Sequence, residues 1–267
     1  VGSEMCIRDR IYKEEDPLYG GFRGGPAYYI HHLFIKKGSK RKKSIIAALF
    51  ALSGLICWCG ISQVIGNSVS SAFENAFQIP PIYTTIILVA FAAVIVLRKN
   101  ATVKVLDFIV PIMAVCYFLI TIFIIIKNAG QLPQIFQTIF LEAFGLKQAV
   151  AGGFGAVIMN GAKRGLFSNE AGSGSAPCAA AAADINHPAK EGLLQAFGVF
   201  IDTILICSCS AMIMLLTPAE LTDGLEGMDL LQTSMQYHMG EIGVIFIAII
   251  LWLFSFSTFI GILFYAR

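Results

Sequence analysis

Charged side chains are scarce in this sequence: Asp, Glu, Lys and Arg make up 13% of its 267 residues, against roughly a quarter in an ordinary soluble domain. That scarcity excludes a surface solvated all round, and a net charge of only +2 leaves no electrostatic footprint for nucleic acid. Histidine is nearly absent as well. The four present, His31, His32, His187 and His238, fall in expected loops, and none lies one helical turn from Ser173 or Ser175. A membrane-embedded serine hydrolase built on Ser173 or Ser175 would therefore lack its base. The seven cysteines do not compensate. Six lie in or beside apolar runs, and Cys57-Trp-Cys59 and Cys207-Ser-Cys209 have no His ligands at zinc spacing. Cysteine packs there as a small hydrophobe, so no catalytic centre, disulfide framework, metal site or cofactor is expected.

Hydrophobic residues, by contrast, make up 57% of the chain, with a mean hydropathy of +0.74. Six segments are expected to cross a bilayer as helices: Ser44 to Ser71, Ile82 to Leu97, Val105 to Ile126, Ala149 to about Phe167, Leu193 to Leu216, and Val244 to Ala266. Crossing hydrocarbon takes about 20 residues at ~1.5 Å each. The fold class is all-α, a polytopic membrane helix bundle. Pro80 and Pro81 suit the start of the second span, and Pro111 is expected to kink the third. The stretch LPQIFQTIFLEAF, residues 132–144, has a helical apolar stripe with polar neighbours and reads as an interfacial helix. The first ten residues, VGSEMCIRDR, resemble a translated library adaptor and are set aside; the chain reads as a fragment.

Orientation follows from Lys and Arg in short loops. KKGSKRKK precedes the first span and RKNATVK follows the second, whereas ENAFQIPP and LTPAELTDGLEGMD carry no basic residue. The first span thus starts in the cytoplasm, the sixth ends there, and Lys163 to Lys190 lies at the cytoplasmic end of the fourth.

A polar side chain in hydrocarbon costs on the order of 2.5–3.5 kcal/mol, so each needs a partner or a cavity. In the first span Gly60, Gln63, Asn67, Ser70, Ser71 and Glu74 step by three or four along one face. Interhelical hydrogen bonding and the wall of a hydrophilic path both account for such a stripe. Asp202, nine residues into the fifth span, is either a structural hydrogen-bonding acid or an ion-coupling group. Ser255, Ser257 and Thr258 sit at mid-depth in the sixth span, where hydroxyls bond their own helix or offer hard oxygens to sodium. The fourth span and the stretch that follows it hold seven glycines between 152 and 174, each costing a helix interior ~1 kcal/mol relative to alanine. Tight small-residue packing explains Gly161 and Gly165. The clustering favours a discontinuous helix, which survives at membrane depth where it lines a solute path.

The segments KRGLFSNEAGSGSAP, AAAAADINHPAKEGLLQAFGVFIDT, RGGPAYYI, SSAFENAFQIP and FSFSTFIG closely resemble the alanine/glycine:cation symporter family, from about residue 11 to the end. The resemblance implies a leucine-transporter-like fold of two inverted five-helix repeats with a broken first and sixth helix. Residues 11–267 would supply about the third to eighth helices. It further implies sodium-coupled symport of a small neutral amino acid, alanine or glycine, across a bacterial cell membrane, with proton coupling as the alternative. The resemblance carries substrate contacts onto Asn67, Gly153, Phe154, Ile158 and Thr258, and sodium ligands onto Ser257 and Thr258. Ile65 and Ile262 stand where family members often have Gln and Trp, and Gln63 is the candidate to compensate. Arg164 and Glu170 are a candidate gating ion pair at the cytoplasmic exit, with Asp202 a further coupling candidate. The lipid bilayer is the expected partner, and nucleic acid is not.

Overall fold

The computed structural model describes residues 2–16, 22–36, 44–97, 103–144, 154–169, 174–183 and 185–265. The described residues are almost entirely helical. A first helix, α1 (Gly2–Ile11), leads into a two-residue hairpin of β1 (Glu14–Glu15) and β2 (Phe22–Arg23), paired antiparallel with Glu14 opposite Arg23. Although set aside in the sequence, α1 packs against later elements of the chain. A short helix, α2 (Pro26–Lys36), then precedes the first long one, α3 (Ile45–Phe77).

The boundaries of α3 have local causes. Ser44 is extended and its Oγ accepts from the Ala47 amide at 3.3 Å, the usual side-chain cap of a helix start. At the other end Gln78 adopts a left-handed conformation (φ 54) and donates its amide to Glu74 O at 2.8 Å, closing the last turn. Pro80 follows, and α4 (Pro81–Leu97) begins on Pro81, whose missing amide costs nothing at a first helical position. Next come α5 (Val103–Lys127), which is helical straight through Pro111, and α6 (Leu132–Phe144), which coincides with the expected interfacial helix.

The glycine-rich region gives α7 (Phe154–Asn169) and the eight-residue α8 (Ser175–Ala182). A long helix, α9 (Pro188–Leu215), contains a π-helical segment at Ile201–Ile206, where the Cys207 amide donates to Asp202 O one residue further back than in an α-turn. The expected connection after α9 is itself structured: α10 (Ala219–Thr222) and α11 (Gly227–Met239) lead into the final helix, α12 (Glu241–Tyr265).

Four stretches are long and apolar enough to cross a membrane: Ile45–Phe77, Phe108–Lys127, Pro188–Leu215 and Glu241–Leu263; Pro81–Val94 is a shorter apolar helix. The α7 helix covers 16 described residues. Their surfaces are inverted relative to a soluble bundle. Ile56, Val89, Leu119, Ile126 and Leu193 are all more than half exposed, as lipid-facing side chains are.

The core gathers where α5, α6, α9, α11 and α12 meet. Tyr117, Ile124, Ile135, Cys209, Ile213, Leu216, Met235, Ile247 and Ile250 are all buried there. Tyr117 Oη and Ser210 Oγ share a hydrogen bond of 2.8 Å between α5 and α9, which gives the buried Tyr117 hydroxyl a partner, while Ser210 also donates to Ile206 O at 3.4 Å. The α3 and α12 helices also pack closely, with Phe73 and Trp252 ring centroids 5.1 Å apart. Gln232 of α11 bonds near the C-terminal end of α3 and the N-terminal end of α12, so these two helices run antiparallel.

Candidate functional site

The polar stripe of α3 divides into three parts. Ser70 is buried and its Oγ lies 3.1 Å from Thr85 Oγ1 of α4. Thr85 donates its own proton to Pro81 O at 2.8 Å, so Ser70 is the donor between the helices. Here the interhelical hydrogen bond accounts for the polar residue. Towards the C-terminal end, Ser71 and Asn75 turn to α11: both donate to Asp229 Oδ1, at 3.2 and 2.7 Å. Gln63 and Asn67 are exposed and make no side-chain hydrogen bond among the described residues. Asn67 borders a cavity of about 550 Å³ shared with Ser68, Ser71 and the segment from Leu225 to Leu230. Of the stripe's members, Asn67 and Ser71 line this cavity and Gln63 does not.

On α12, Ser257 Oγ and Thr258 Oγ1 both donate to Phe254 O, at 2.8 and 3.0 Å. Each hydroxyl thus uses its single proton on the helix backbone, while its lone pairs stay able to accept or to ligate a cation. Ser255, buried, donates to Trp252 O at 2.7 Å. Among the described residues no hydrogen bond joins Asn67 to Thr258.

The glycine-rich helix differs from expectation within the described residues. From Phe154 to Asn169 it runs uninterrupted through Gly155, Gly161 and Gly165, none of which has a positive φ. A break in this region would have to fall in residues 145–153 or 170–173, outside the described residues. Ile158 is exposed on α7. Gly153 and Glu170 lie outside the described residues, as do the side chains of Phe154 and Arg164, and with them the gating pair. Asp202 is exposed within the π-helical segment, which packs against α7. Sequence reasoning placed the acid at depth but carried no signal for the wider turn around it.

At the end that Lys and Arg assign to the cytoplasm, two of the motif segments meet. A Cβ on Gly25 (φ +136) would lie 2.7 Å from Cys178 Sγ, and one on Gly24 would lie 2.6 Å from Ala181 Cβ. Gly174 (φ +86) begins α8, and a Cβ there would approach Phe50 to 3.3 Å and Pro26 to 3.4 Å. Glycine at these positions permits both the backbone conformation and the approach. Burial, then the Asp9 charge, pushes the Cys178 thiol up to about 12, so it is protonated at neutral pH. A cavity of about 500 Å³ adjoins this contact, lined by Pro26, Tyr28, Phe50 and Trp58 among others.

The sequence comparisons bear on the same elements. The model of the sodium:alanine symporter family matches residues 5–267. The chain belongs to this family. It is 42% identical over 262 residues to the probable sodium/glutamine symporter GlnT of Bacillus subtilis, covering 97% of this chain and 52% of that protein. It is 40% identical over 260 residues to the amino-acid carrier protein AlsT of the same organism, covering 97% of this chain and 54% of that one. To the sodium/alanine symporter AgcS of Methanococcus maripaludis it is 34% identical over 253 residues, covering 93% and 55%. The chain therefore spans about half the length of these relatives. The family is one of membrane carriers rather than enzymes, and the helices described here are those of a multi-pass membrane protein.

Proposed function

We propose that the protein containing this chain is a sodium-coupled symporter of a small neutral amino acid, alanine or glycine, working by alternating access in a bacterial cell membrane. The observation that carries this reading is the division of the α3 stripe. Neighbouring helices satisfy Ser70 and Ser71, while Asn67 and Gln63 have no side-chain partner among the described residues and Asn67 opens onto a polar cavity. An amide held in that setting supplies both a donor and an acceptor to a passing zwitterion. Ser257 and Thr258, with protons committed to Phe254 O, supply lone pairs of the hard oxygen type that sodium takes. Gly153, Phe154 and Ile158 would complete the substrate contacts in a leucine-transporter-like arrangement, with the broken helix falling outside α7's described residues. Arg164 and Glu170 would close the cytoplasmic side as an ion pair.

The test is uptake by the full-length protein in proteoliposomes. An inward sodium gradient is expected to drive alanine accumulation, and a panel including glycine, serine and glutamine sets the substrate, glutamine because one relative bears that name. Asn67→Ala is expected to raise KM about tenfold, the effect of one or two lost polar contacts to a charged ligand. Accumulation that ignores sodium would overturn the reading.

Proton coupling is the second reading, and Asp202 is the observation for it: a carboxylate within the span, on a π-helical turn of a kind often found at functional sites. Two relatives are named sodium/proton-dependent alanine carriers, one of them putatively. Uptake that follows a pH gradient without sodium and is lost in Asp202→Asn would favour it.

A further inference from the structure

The helix α11 lies in a segment that the sequence presents as a connection, yet it joins the candidate substrate face to the end of the last helix. Two of its side chains do so in different ways. Gln232 is buried and central: its Nε2 donates to Ala72 O of α3 at 3.0 Å and to Val244 O of α12 at 3.5 Å, while its Oε1 accepts from Asn75 Nδ2 at 2.9 Å. All of its amide hydrogens and one acceptor site are thereby used. Asp229 stands one helical turn earlier, at the exposed edge. Its Oδ1 accepts from Asn75 Nδ2 at 2.7 Å and from Ser71 Oγ at 3.2 Å. Asn75 therefore spends one hydrogen on each of the two α11 residues, and Ser71 spends its one on Asp229.

The division of labour follows from burial. Gln232 holds α11 to the bundle, so assembly does not need Asp229. Asp229 instead borders the cavity lined by Asn67, Ser68 and Ser71 of α3 and by the segment from Leu225 to Leu230. Asn67 is four residues, one turn, before Ser71 on the same face of α3. A carboxylate gripping Ser71 and Asn75 thus fixes how far the α11 wall stands from Asn67.

We propose that Asp229 is a positioning residue for the substrate face: through Ser71 and Asn75 it holds the start of α11 across the mouth of the cavity at Asn67. This rests on the carrier function proposed above, since it is the apparent affinity at Asn67 that Asp229 sets. It acts on the substrate through α3 and the cavity wall, not by touching it.

The experiment has two arms in the full-length protein. In sodium-driven alanine uptake, D229A is expected to raise KM about fivefold with Vmax within about twofold, the pattern of lost binding rather than lost turnover. D229N, which keeps an oxygen for Asn75 and Ser71, restores most of the wild-type KM. N75A raises KM at least as much, because it also leaves Gln232 Oε1 without its donor, and D229A adds less to N75A than to the wild type, since only the Ser71 bond is then left to lose. In the second arm, a cysteine introduced by S68C is labelled with a membrane-impermeant thiol reagent, with the background of the unsubstituted protein subtracted. D229A is expected to speed labelling about tenfold, and D229N is not. Should wild-type protein show no sodium-driven uptake, the carrier reading fails and the labelling arm alone decides for or against Asp229. An unchanged KM and labelling rate in D229A, or equal loss of folded yield in D229A and D229N, would overturn the proposal.

Discussion

The two ends of this bundle are closed by different chemistry. At the outer end α11 meets α3 and α12 through a chain of directed hydrogen bonds, in which Asn75 and Gln232 each use both amide hydrogens. At the cytoplasmic end the RGGP turn meets α8 through the absence of side chains, with Gly24, Gly25 and Gly174 allowing close contact with Ala181, Cys178, Phe50 and Pro26. Polar bonds can be lost one at a time and regained in water. A steric fit of this kind is held or released as a whole, because interiors tolerate little change in volume. The outer end is therefore held by bonds that can be given up singly, and the cytoplasmic end by a contact that is made or lost as a unit.

This contrast can be broken from either side. The largest effect is expected from Gly25→Ala, which puts a Cβ 2.7 Å from Cys178 Sγ at φ +136, a backbone cost of about 1–3 kcal/mol before the clash is counted. Thermal unfolding of the full-length protein in detergent should show the largest drop in Tm, with uptake lost in parallel. Pairing it with Cys178→Ala removes the Sγ and is expected to recover only the steric part, which separates clash from backbone strain. Next comes Gln232→Ala at the outer end, which leaves Asn75 with one unpaired hydrogen and removes the bridge between α3 and α12, a cost of about 1–3 kcal/mol. If Gly25→Ala proves milder than Gln232→Ala, the assignment of the steric contact to the less forgiving end is wrong.

The smallest effect is a pH dependence at His238. This ring is buried in α11, where Nε2 donates to Ile213 O at 3.1 Å and lies 3.2 Å from Thr217 Oγ1. Burial lowers its pKa from 6.5, opposed by the bond to Ile213 O, with Lys127 adding a further small lowering. The unfolded chain then binds the proton first as pH falls, so this histidine contributes nothing to stability changes above about pH 6.5 and costs stability below it. A modest fall in Tm below pH 6.5 that disappears in His238→Gln is the expected result.

Much of the fold was legible because the signals were local. The Pro80-Pro81 pair marked the start of α4, and LPQIFQTIFLEAF coincides with α6, whereas the end expected for the first span at Ser71 fell short of Phe77, where Gln78 closes the helix. The α11 helix was missed although its signal is present: Met228, Leu231, Met235 and Met239 recur at helical spacing and pack on or within the core. Asp229, Gln232 and Gln236 on its other face obscured that stripe, and they are polar because they face α3 and the cavities beside it. In the candidate site, the polar face of α3 was visible as a stripe. Which of its members would be satisfied by neighbours was not, since Ser70 found its partner 15 residues away and Ser71 found its own 158 residues away. The meeting of the RGGP turn with α8 was equally hidden, because glycines mark where a chain comes close without naming what it approaches.

The wide turn at Ile201–Ile206 has a consequence for how α9 serves two neighbours. One extra residue in a helical turn advances everything beyond it by about 100° around the axis. The outer portion is thereby phased so that Ser210 reaches Tyr117 of α5, while the bulged portion is the part that rests on α7. Removing a single residue from this turn would leave the composition of the helix almost untouched and yet rotate one contact surface out of alignment with the other.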